Sequence, residues 1–326
     1  MDRDAAIPLL LSALTALSAS GCTASRFAGR GMAPLFSTPR EVPNKIASPI
    51  RSDARVAVLW VGHATVLLQM DDKVFLTDPV FTGTVGELSR RLVEPGIDVD
   101  AVPAVDAVVI SHLHFDHYSM GSIDALGPKI RRLVLPGGGL VYAADWSFDV
   151  RELPRWSTWS FDGAKITAVP VRHVGWRYGI DRGWMDTSFT GYVFEYHGLT
   201  VYFGGDTGYE PSFFRETARR FPSIDLALLP IAPLEPRDFM ERNHEDPREA
   251  LLALRDLGAR RMVPIHFDTF VNSLDEVGDA PRALDRAAKE MHLEDRVERL
   301  AIGEQRVIVP RGARDAAPPS RAGRRE

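Results

Sequence analysis

The chain has 326 residues and a formal net charge of −5, with 45% hydrophobic and 25% charged residues. These values are typical of a soluble globular protein and exclude a collagen, a coiled coil or a wholly disordered chain. No nucleic-acid partner is expected, because such proteins usually carry a basic face. The single cysteine, Cys22, excludes an intrachain disulfide and a thiolate metal site, so a metal would have to be held by His, Asp or Glu.

The first 21 residues resemble an export signal. Residues 5–19 form an apolar run with the length of a signal-peptide core, too short for a membrane-spanning helix of about 20 apolar residues. The segment ASGC that ends at Cys22 resembles a bacterial lipoprotein signal, in which the cysteine is lipidated. We therefore expect residues 1–21 to be a signal peptide and the protein to be anchored to a membrane on the periplasmic side. The alternative is an apolar extension of a cytoplasmic protein.

Two segments flank the organised part of the chain. Residues 22–53 are rich in Pro, Ser, Arg and Gly, and they are typical of a tether or of an arm lying on the domain. Residues 311–326 form a basic tail. We expect both segments to be poorly ordered. Residues 54–310 between them are predicted to form one folded domain.

Short apolar runs separated by turns predict a series of strands in this domain. In chain order the predicted strands cover residues 55–61, 64–70, 73–77, 107–110, 133–135, 166–171, 188–196, 200–203, 226–229 and 262–265. Helices are predicted over residues 211–220, 248–257 and 281–292. The second follows Asp246, a favourable N-cap, and stops before Gly258. Strands with helices outside them indicate a layered α/β protein.

The strongest chemical signal is the segment SHLHFDH at residues 111–117. It follows the apolar run at 107–110, and α/β proteins place their sites in the loops after such strands. Imidazole and carboxylate are the usual zinc ligands where no thiolate is present. One histidine alone would indicate only a polar loop. Four candidate ligands this close together predict a metal site: His112, His114, Asp116 and His117.

Three further residues with ligand chemistry follow apolar runs later in the chain, namely His173, Asp206 and His266. Alone, either histidine would more often be a structural histidine with a hydrogen-bonded ring. Beside the cluster at 112–117 we interpret both as ligands. His197 lies in a predicted hairpin turn and His292 ends a helical pattern, so neither is expected to bind metal.

The motif HxHxDH at residues 112–117 is the signature of the metallo-β-lactamase superfamily, which the chain resembles over roughly residues 56–270. The segments WVGHATVLLQ, LTDPVF, GDTGY, EPRDFMERNHEDPREALLA and PIHFDTF make it similar to the N-acylphosphatidylethanolamine phospholipase D branch and its bacterial lipoprotein-like relatives. The L-ascorbate-6-phosphate lactonases are more distant neighbours. The resemblance implies an α/β fold, specifically a four-layer αββα sandwich.

The resemblance also sorts the ligands between two divalent ions, expected to be zinc, although manganese or iron would fit the same donors. A carboxylate shared by two ions roughly 3.5–4 Å apart lowers the electrostatic repulsion between them. The implied ligands are His112, His114 and His173 for the first ion, Asp116, His117 and His266 for the second, and Asp206 between them. Asp116 and Asp206 are thereby catalytic as well as ligating.

Other residues are candidates for supporting roles. The resemblance implies that His244 assists catalysis, by protonating a leaving alkoxide or holding a phosphate oxygen; the alternative is that it only caps the helix that starts at Asp246. Asp78 could orient a ligand histidine or serve in a turn, and His63 is a further candidate. The loop at residues 176–184 could line a pocket for an acyl chain or a phosphate, or pack as a hydrophobic flap.

The expected function is a binuclear metal-dependent hydrolase, a phospholipase D-like phosphodiesterase that attacks a phospholipid-like substrate with a metal-bridging hydroxide. A lactonase or another ester or amide hydrolase is the alternative on the same site, because this fold hosts many reactions. An alternative of another class is a non-catalytic lipoprotein that binds metal or lipid.

Overall fold

The computed structural model describes residues 37–86 and 89–312. The expected signal peptide, the lipidation site at Cys22, the first part of the arm and residues 313–326 of the basic tail lie outside the described residues. In the described part of the chain, no helix combines the length and the apolar character needed to cross a membrane.

The described chain alternates short strands with helices. The strands are β1 (Ala54–Gly62), β2 (Thr65–Met70), β3 (Lys73–Thr77), β4 (Thr84–Val85), β5 (Ser89–Arg90), β6 (Ala107–Val109), β7 (Arg132–Pro136), β8 (Asp149–Leu153), β9 (Thr158–Phe161), β10 (Ala164–Val169), β11 (Gly191–Tyr196), β12 (Leu199–Phe203), β13 (Leu226–Pro230), β14 (Arg261–Ile265) and β15 (Gln305–Pro310). The α-helices are α1 (Met120–Leu126), α2 (Arg182–Met185), α3 (Pro211–Arg220), α4 (Arg237–Met240), α5 (Pro247–Leu257) and α6 (Asp279–Met291).

Two large mixed sheets carry the fold. The first has seven strands in the order β15-β1-β2-β3-β6-β7-β8, and the second has six in the order β14-β13-β12-β11-β10-β9. In the first sheet β1, β3 and β6 run in one direction, because β2 is antiparallel to both β1 and β3 while β3 and β6 are parallel. In the second sheet β10, β12 and β14 share a direction for the same reason. Each sheet therefore gathers several carboxyl ends at one edge.

The apolar side chains divide into three buried layers, as expected for strands covered on both faces. One layer lies between the two sheets and includes Val58, Phe75 and Phe194. A second lies between the six-stranded sheet and the helices, with Leu254 of α5 and Leu284 of α6. The third lies on the outer face of the seven-stranded sheet and is covered by α1 and neighbouring loops. The predicted four-layer αββα sandwich is confirmed.

The helices that were predicted begin and end close to their expected positions. Helix α5 has a full capping box: the side chain of Asp246 accepts the N–H of Glu249, and the Glu249 side chain accepts the N–H of Asp246. Gly258 ends it in the left-handed region, where a glycine is least strained. Helix α6 begins at Asp279, two residues before the predicted start. Pro281 is tolerated there because the first-turn N–H groups have no intrahelical partner.

The described part of the arm, residues 37–53, lies on the domain rather than free of it. Its backbone pairs with the chain near Val93 through Arg40, and Lys45 forms ion pairs with Glu94 and Asp98. These polar contacts with a later part of the chain fix the segment. The expectation of poor order was wrong for these residues, because the arm's own sequence has no helical or strand periodicity and shows nothing of such contacts.

Candidate metal centre

The candidate ligands follow strands whose carboxyl ends meet where the two sheets adjoin. His112 follows β6, while His173, Asp206 and His266 follow β10, β12 and β14. Two hydrogen bonds join the sheets at this point: Thr190 donates its N–H to the carbonyl oxygen of Ser111 (2.9 Å), and the hydroxyl of Tyr192 donates to the carbonyl oxygen of Ile110 (2.8 Å). Residues that are far apart in sequence are thus brought to one place.

The first group of donors consists of His112, His114 and His173. The Nε2 atom of His112 lies 2.9 Å from Nδ1 of His114 and 3.2 Å from Nε2 of His173. Nδ1 of His173 donates to the carbonyl oxygen of Asn243 (3.0 Å), which leaves its Nε2 as a lone-pair donor. Nδ1 of His112 donates to the hydroxyl oxygen of Ser111 (3.0 Å), so Nε2 of His112 also presents a lone pair. Two lone pairs facing each other at this distance favour a cation between them.

The second group contains Asp116, His117 and His266. The Nε2 atoms of the two histidines are 3.2 Å apart, and Nε2 of His117 is 3.8 Å from Oδ2 of Asp116. Nδ1 of His266 donates to the carbonyl oxygen of Ala232 (3.0 Å), and Nδ1 of His117 donates to Oδ2 of Asp78 (2.7 Å). Both rings therefore turn Nε2 into the site.

Asp206 lies between the two groups. Its Oδ2 is 3.3 Å from Nε2 of His117, 3.9 Å from Nε2 of His173 and 4.0 Å from Nε2 of His112. Its Oδ1 is 3.0 Å from Nε2 of His266. One buried carboxylate thus approaches histidines of both groups, as a bridging ligand must.

The electrostatics of the site demand positive charge. Burial and the neighbouring imidazoles hold the pKa of His112 well below its usual value, so this ring is neutral and able to bind a cation. Burial acts to lower the pKa of His117 as well, but Asp206, Asp116 and Asp78 outweigh it and raise that pKa well above its usual value. Three carboxylates around one buried ring, two of them buried as well, are balanced best by metal cations.

Comparison with known proteins agrees with this donor set. The sequence pattern of the beta-lactamase superfamily domain matches residues 73–267. An uncharacterized protein of Mycobacterium tuberculosis is 34% identical over 263 residues, which are 77% of this chain and 70% of that protein. The chain belongs to the metallo-β-lactamase superfamily of hydrolases.

Other similar proteins extend the comparison. The N-acyl-phosphatidylethanolamine-hydrolyzing phospholipase D 1 of Caenorhabditis elegans is 30% identical over 264 residues, which are 74% of this chain and 72% of that enzyme. Among solved structures, an isothiocyanate hydrolase from Delia radicum gut bacteria has a TM-score of 0.61 at 22% identity and covers 77% of this chain and 98% of its own. A metallo hydrolase of Ignicoccus hospitalis has a TM-score of 0.57 at 21% identity, and the match covers 77% of this chain and 97% of that protein. The two structures establish the shared fold.

This superfamily hydrolase is metal-dependent, and its described chain brings every predicted ligand into one cluster able to hold metal ions. His197 and His292 lie elsewhere. His197 is in the turn between β11 and β12 with a largely exposed side chain, and His292 ends α6 in the left-handed region.

Asp78 lies directly behind the cluster and is fully buried. Besides the bond from His117, its Oδ1 accepts the N–H of Ser111 (2.7 Å) and its Oδ2 accepts the Ser111 hydroxyl (2.6 Å). The carboxylate thus orients the candidate ligand His117 directly and, through Ser111, the start of the loop at residues 111–118 (the candidate ligand loop), so the orienting role fits better than a turn alone. This role of Ser111 was not predicted; its position directly before His112 was the only signal in the sequence.

His244 faces the cluster from the loop between α4 and α5. Its Nδ1 is 3.6 Å from Oδ2 of Asp206, and its ring centroid is 5.1 Å from that of His173 and 5.7 Å from that of His266. Burial lowers the pKa of its ring to about 4, so the ring is neutral at neutral pH. The alternative that His244 caps the following helix is wrong, because Asp246 occupies the N-cap position.

Arg177 holds the candidate ligand loop in place by contacts with its backbone. The sequence did not predict this role. Its guanidinium is buried and donates two hydrogen bonds of 2.9 Å, to the carbonyl oxygens of Leu113 and Tyr118 on either side of the turn. The same group lies over the ring of Phe115 at 4.3 Å. The loop at residues 176–184 is thereby attached to the metal centre, and Trp176 packs edge-on against His114 with ring centroids 4.8 Å apart.

Proposed function

We propose that this hydrolase binds two zinc ions and hydrolyses a phosphodiester of a phospholipid-like substrate, as a phospholipase D does. Two ligand atoms on one tetrahedral zinc are roughly 3.3 Å apart when each bond is about 2.05 Å long. The facing Nε2 pairs, one in each group, are both 3.2 Å apart. The observation that carries the substrate class is that similarity to the Caenorhabditis elegans phospholipase covers most of both chains and accompanies a histidine, His244, beside the shared carboxylate.

When bound, divalent ions of this kind make a water nucleophilic near neutral pH and hold the nonbridging phosphate oxygens. The side chains of the protein fix the positions and orientations of the groups that would hold these ions. Asp206 places the two donor groups against each other, and Asp78 and Ser111 keep His117 and His112 in the tautomers that direct Nε2 inward. As the bond from phosphorus to the leaving oxygen breaks, the neutral ring of His244 would donate a hydrogen bond to the departing alkoxide and relay to it the proton that the attacking water gives up.

An open pocket of about 510 Å³ beside the first donor group supports an acyl or glyceryl portion in the substrate. It adjoins the centre because Asn243, which bonds His173, is part of its wall. The wall combines apolar surface with one cation, one carboxylate and one amide, a composition suited to an amphipathic ligand. Its lining residues are Val174, Trp176, Arg182, Gly183, Asp186, Phe239 and Asn243.

A substrate panel on the zinc-loaded enzyme tests this proposal. We expect chelator-sensitive release of p-nitrophenol from bis-p-nitrophenyl phosphate, and release of phosphatidic acid from phospholipid substrates, N-acylated phosphatidylethanolamine among them. Cleavage of lactones, lactams or carboxylic esters with no cleavage of any phosphodiester would contradict the substrate class while leaving the metal centre intact.

Replacing His244 with Ala should lower kcat by about 10²–10⁴-fold, the usual contribution of a positioned proton donor. The metal content should not change, because the donors of both groups are retained. The decisive comparison uses two leaving groups. The loss should be large for an alkoxide and small for p-nitrophenolate, which needs no proton to depart. Loss of metal from the variant would instead make His244 a ligand.

We also propose that the enzyme works at a membrane surface. Four large apolar side chains are exposed around the pocket and on its adjoining loop, and we call them the apolar rim: Tyr178, Ile180, Trp184 and Phe239. Aromatic rings with a polar edge suit the interface between lipid and water. The rim would place the pocket opening against the lipid layer from which a phospholipid enters.

The double substitution Ile180→Ala and Trp184→Ala should weaken binding to vesicles of phosphatidylcholine and phosphatidylethanolamine by about 100-fold or more, since each side chain buried in the lipid contributes about 1.5–3 kcal/mol and each 1.4 kcal/mol is a factor of ten in affinity. Co-sedimentation measures this. Ile50→Ala, which removes an exposed apolar side chain of the arm, serves as control. Equal binding by all three proteins would contradict the docking role of the rim.

A further inference from the structure

His63 occupies a strained turn that is held by the loop carrying His266. It lies between β1 and β2 with φ 54°, a left-handed conformation that is unfavourable for a residue with a Cβ atom. Three hydrogen bonds fix it: its N–H donates to Oγ1 of Thr269 (2.7 Å), and its carbonyl oxygen accepts from His266 N–H (3.0 Å) and Trp60 Nε1 (2.9 Å). Strain of this kind persists only where the surroundings determine the conformation, and it clusters at functional sites.

The imidazole of His63 connects two candidate ligands of the second group. Its Nε2 is 3.0 Å from Oδ2 of Asp116, so the neutral ring donates its proton to that carboxylate. Its ring lies against the ring of His266 with centroids 3.9 Å apart, and the ring of Phe270 closes its other side edge-on at 5.1 Å. The ring is almost completely buried, so the donor end of this hydrogen bond is shielded from water.

We propose that His63 is a positioning residue for the second metal ion, which it serves by holding Asp116 through its ring and His266 through its backbone and ring face. A ligating carboxylate usually needs a hydrogen bond to fix its orientation, and loss of such a partner lowers metal affinity about 10- to 100-fold. Within the described chain, the hydrogen bonds and ring contacts of the His63 side chain reach the second donor group and Phe270, and none reaches the first donor group. Loss of His63 should therefore affect one ion and spare the other. This inference rests on the proposed two-ion centre.

The variants His63→Ala and His63→Gln test the role together. In Gln the amide Nε2 is as many bonds from Cβ as the ring Nε2 is, so it can donate the same hydrogen bond, yet an amide is a poor zinc ligand. We expect the wild type to carry two zinc ions per chain and His63→Ala to carry one, with affinity for the second ion 10- to 100-fold weaker by chelator competition. His63→Gln should regain most of that affinity.

His197→Ala is a matched control. His197 is also a histidine in a tight turn between two strands with a left-handed φ of 49°, but it lies away from the metal centre beside Asp71. In both variants an alanine must adopt a left-handed backbone conformation, but His197→Ala removes no contact to Asp116. The control variant should therefore keep both ions. Thermal unfolding of the metal-free proteins shows whether each variant folds.

Three outcomes would overturn the proposal. In the first, folded His63→Ala keeps two ions with wild-type affinity. In the second, His63→Gln is as defective as His63→Ala, which would make His63 a direct ligand. In the third, both ions are lost equally. A wild-type enzyme with two ions but no phosphodiesterase activity would contradict the proposed reaction and leave this role of His63 standing.

Discussion

Replacing Asp206 with Asn is expected to abolish most activity and to remove at least one metal ion per chain. The asparagine side chain has the same shape but no charge and only one oxygen, whereas both oxygens of Asp206 face histidines of the cluster. Lewis-acid stabilisation by such ions is worth several kcal/mol, and each 1.36 kcal/mol is a factor of ten in rate. A loss of more than about 10³-fold in kcat/KM should follow. Elemental analysis and turnover measured on the same preparation check this.

Asp106→Asn is the matched control for that experiment. Asp106 is also a buried aspartate, but it accepts the N–H of Val74 and pairs with Arg131 away from the metal centre. Its variant should lose some stability and keep its metal and turnover. If Asp206→Asn retained two ions and full turnover, Asp206 would not be the shared ligand.

Replacing Asp78 with Asn is the second change with a large expected effect. The Asp78 carboxylate accepts three donors, from the Ser111 N–H, the Ser111 hydroxyl and Nδ1 of His117. The amide NH2 would face at least one of these donors, so His117 would lose the partner that directs its Nε2 inward. We expect about 10- to 100-fold weaker metal binding and a free energy of unfolding lower by about 1–3 kcal/mol.

Ser111→Ala separates the two contributions, because it leaves the bond between Asp78 and His117 in place and removes the hydroxyl that donates to Asp78 and accepts from Nδ1 of His112. The second donor group should therefore keep its metal affinity in Ser111→Ala and lose affinity in Asp78→Asn. Chelator competition gives the affinities, and urea unfolding of the metal-free proteins gives the stabilities. Equal affinities for wild type and Asp78→Asn would show that His117 needs no such partner.

The central part of the site could be predicted because its signals are local. The motif at residues 112–117 directly follows an apolar run, and His173, Asp206 and His266 each follow another. Parallel strands place their carboxyl ends at one sheet edge, so residues of ligand chemistry in these positions are brought together by the topology. The local helix signals of Asp246 and Gly258 were reliable for the same reason.

The features that were missed depend on contacts between distant parts of the chain. Strands β8 and β15 lie at sheet edges, and their mixed polar and apolar sequences give a weak strand pattern. Arg177 bonds carbonyl groups 59 and 64 residues away, and no pattern in its own segment indicates this. The ring of His63 reaches Asp116 across 53 residues. Such contacts follow from the packed structure and leave no periodicity in the sequence.

The number of metal ions per folded chain tests the two-ion centre most directly, measured by elemental analysis after purification in zinc and again after dialysis against a chelator. We expect two ions per chain, which chelation removes together with hydrolase activity and which added zinc restores. A folded protein that binds no divalent ion under these conditions would contradict the two-ion centre.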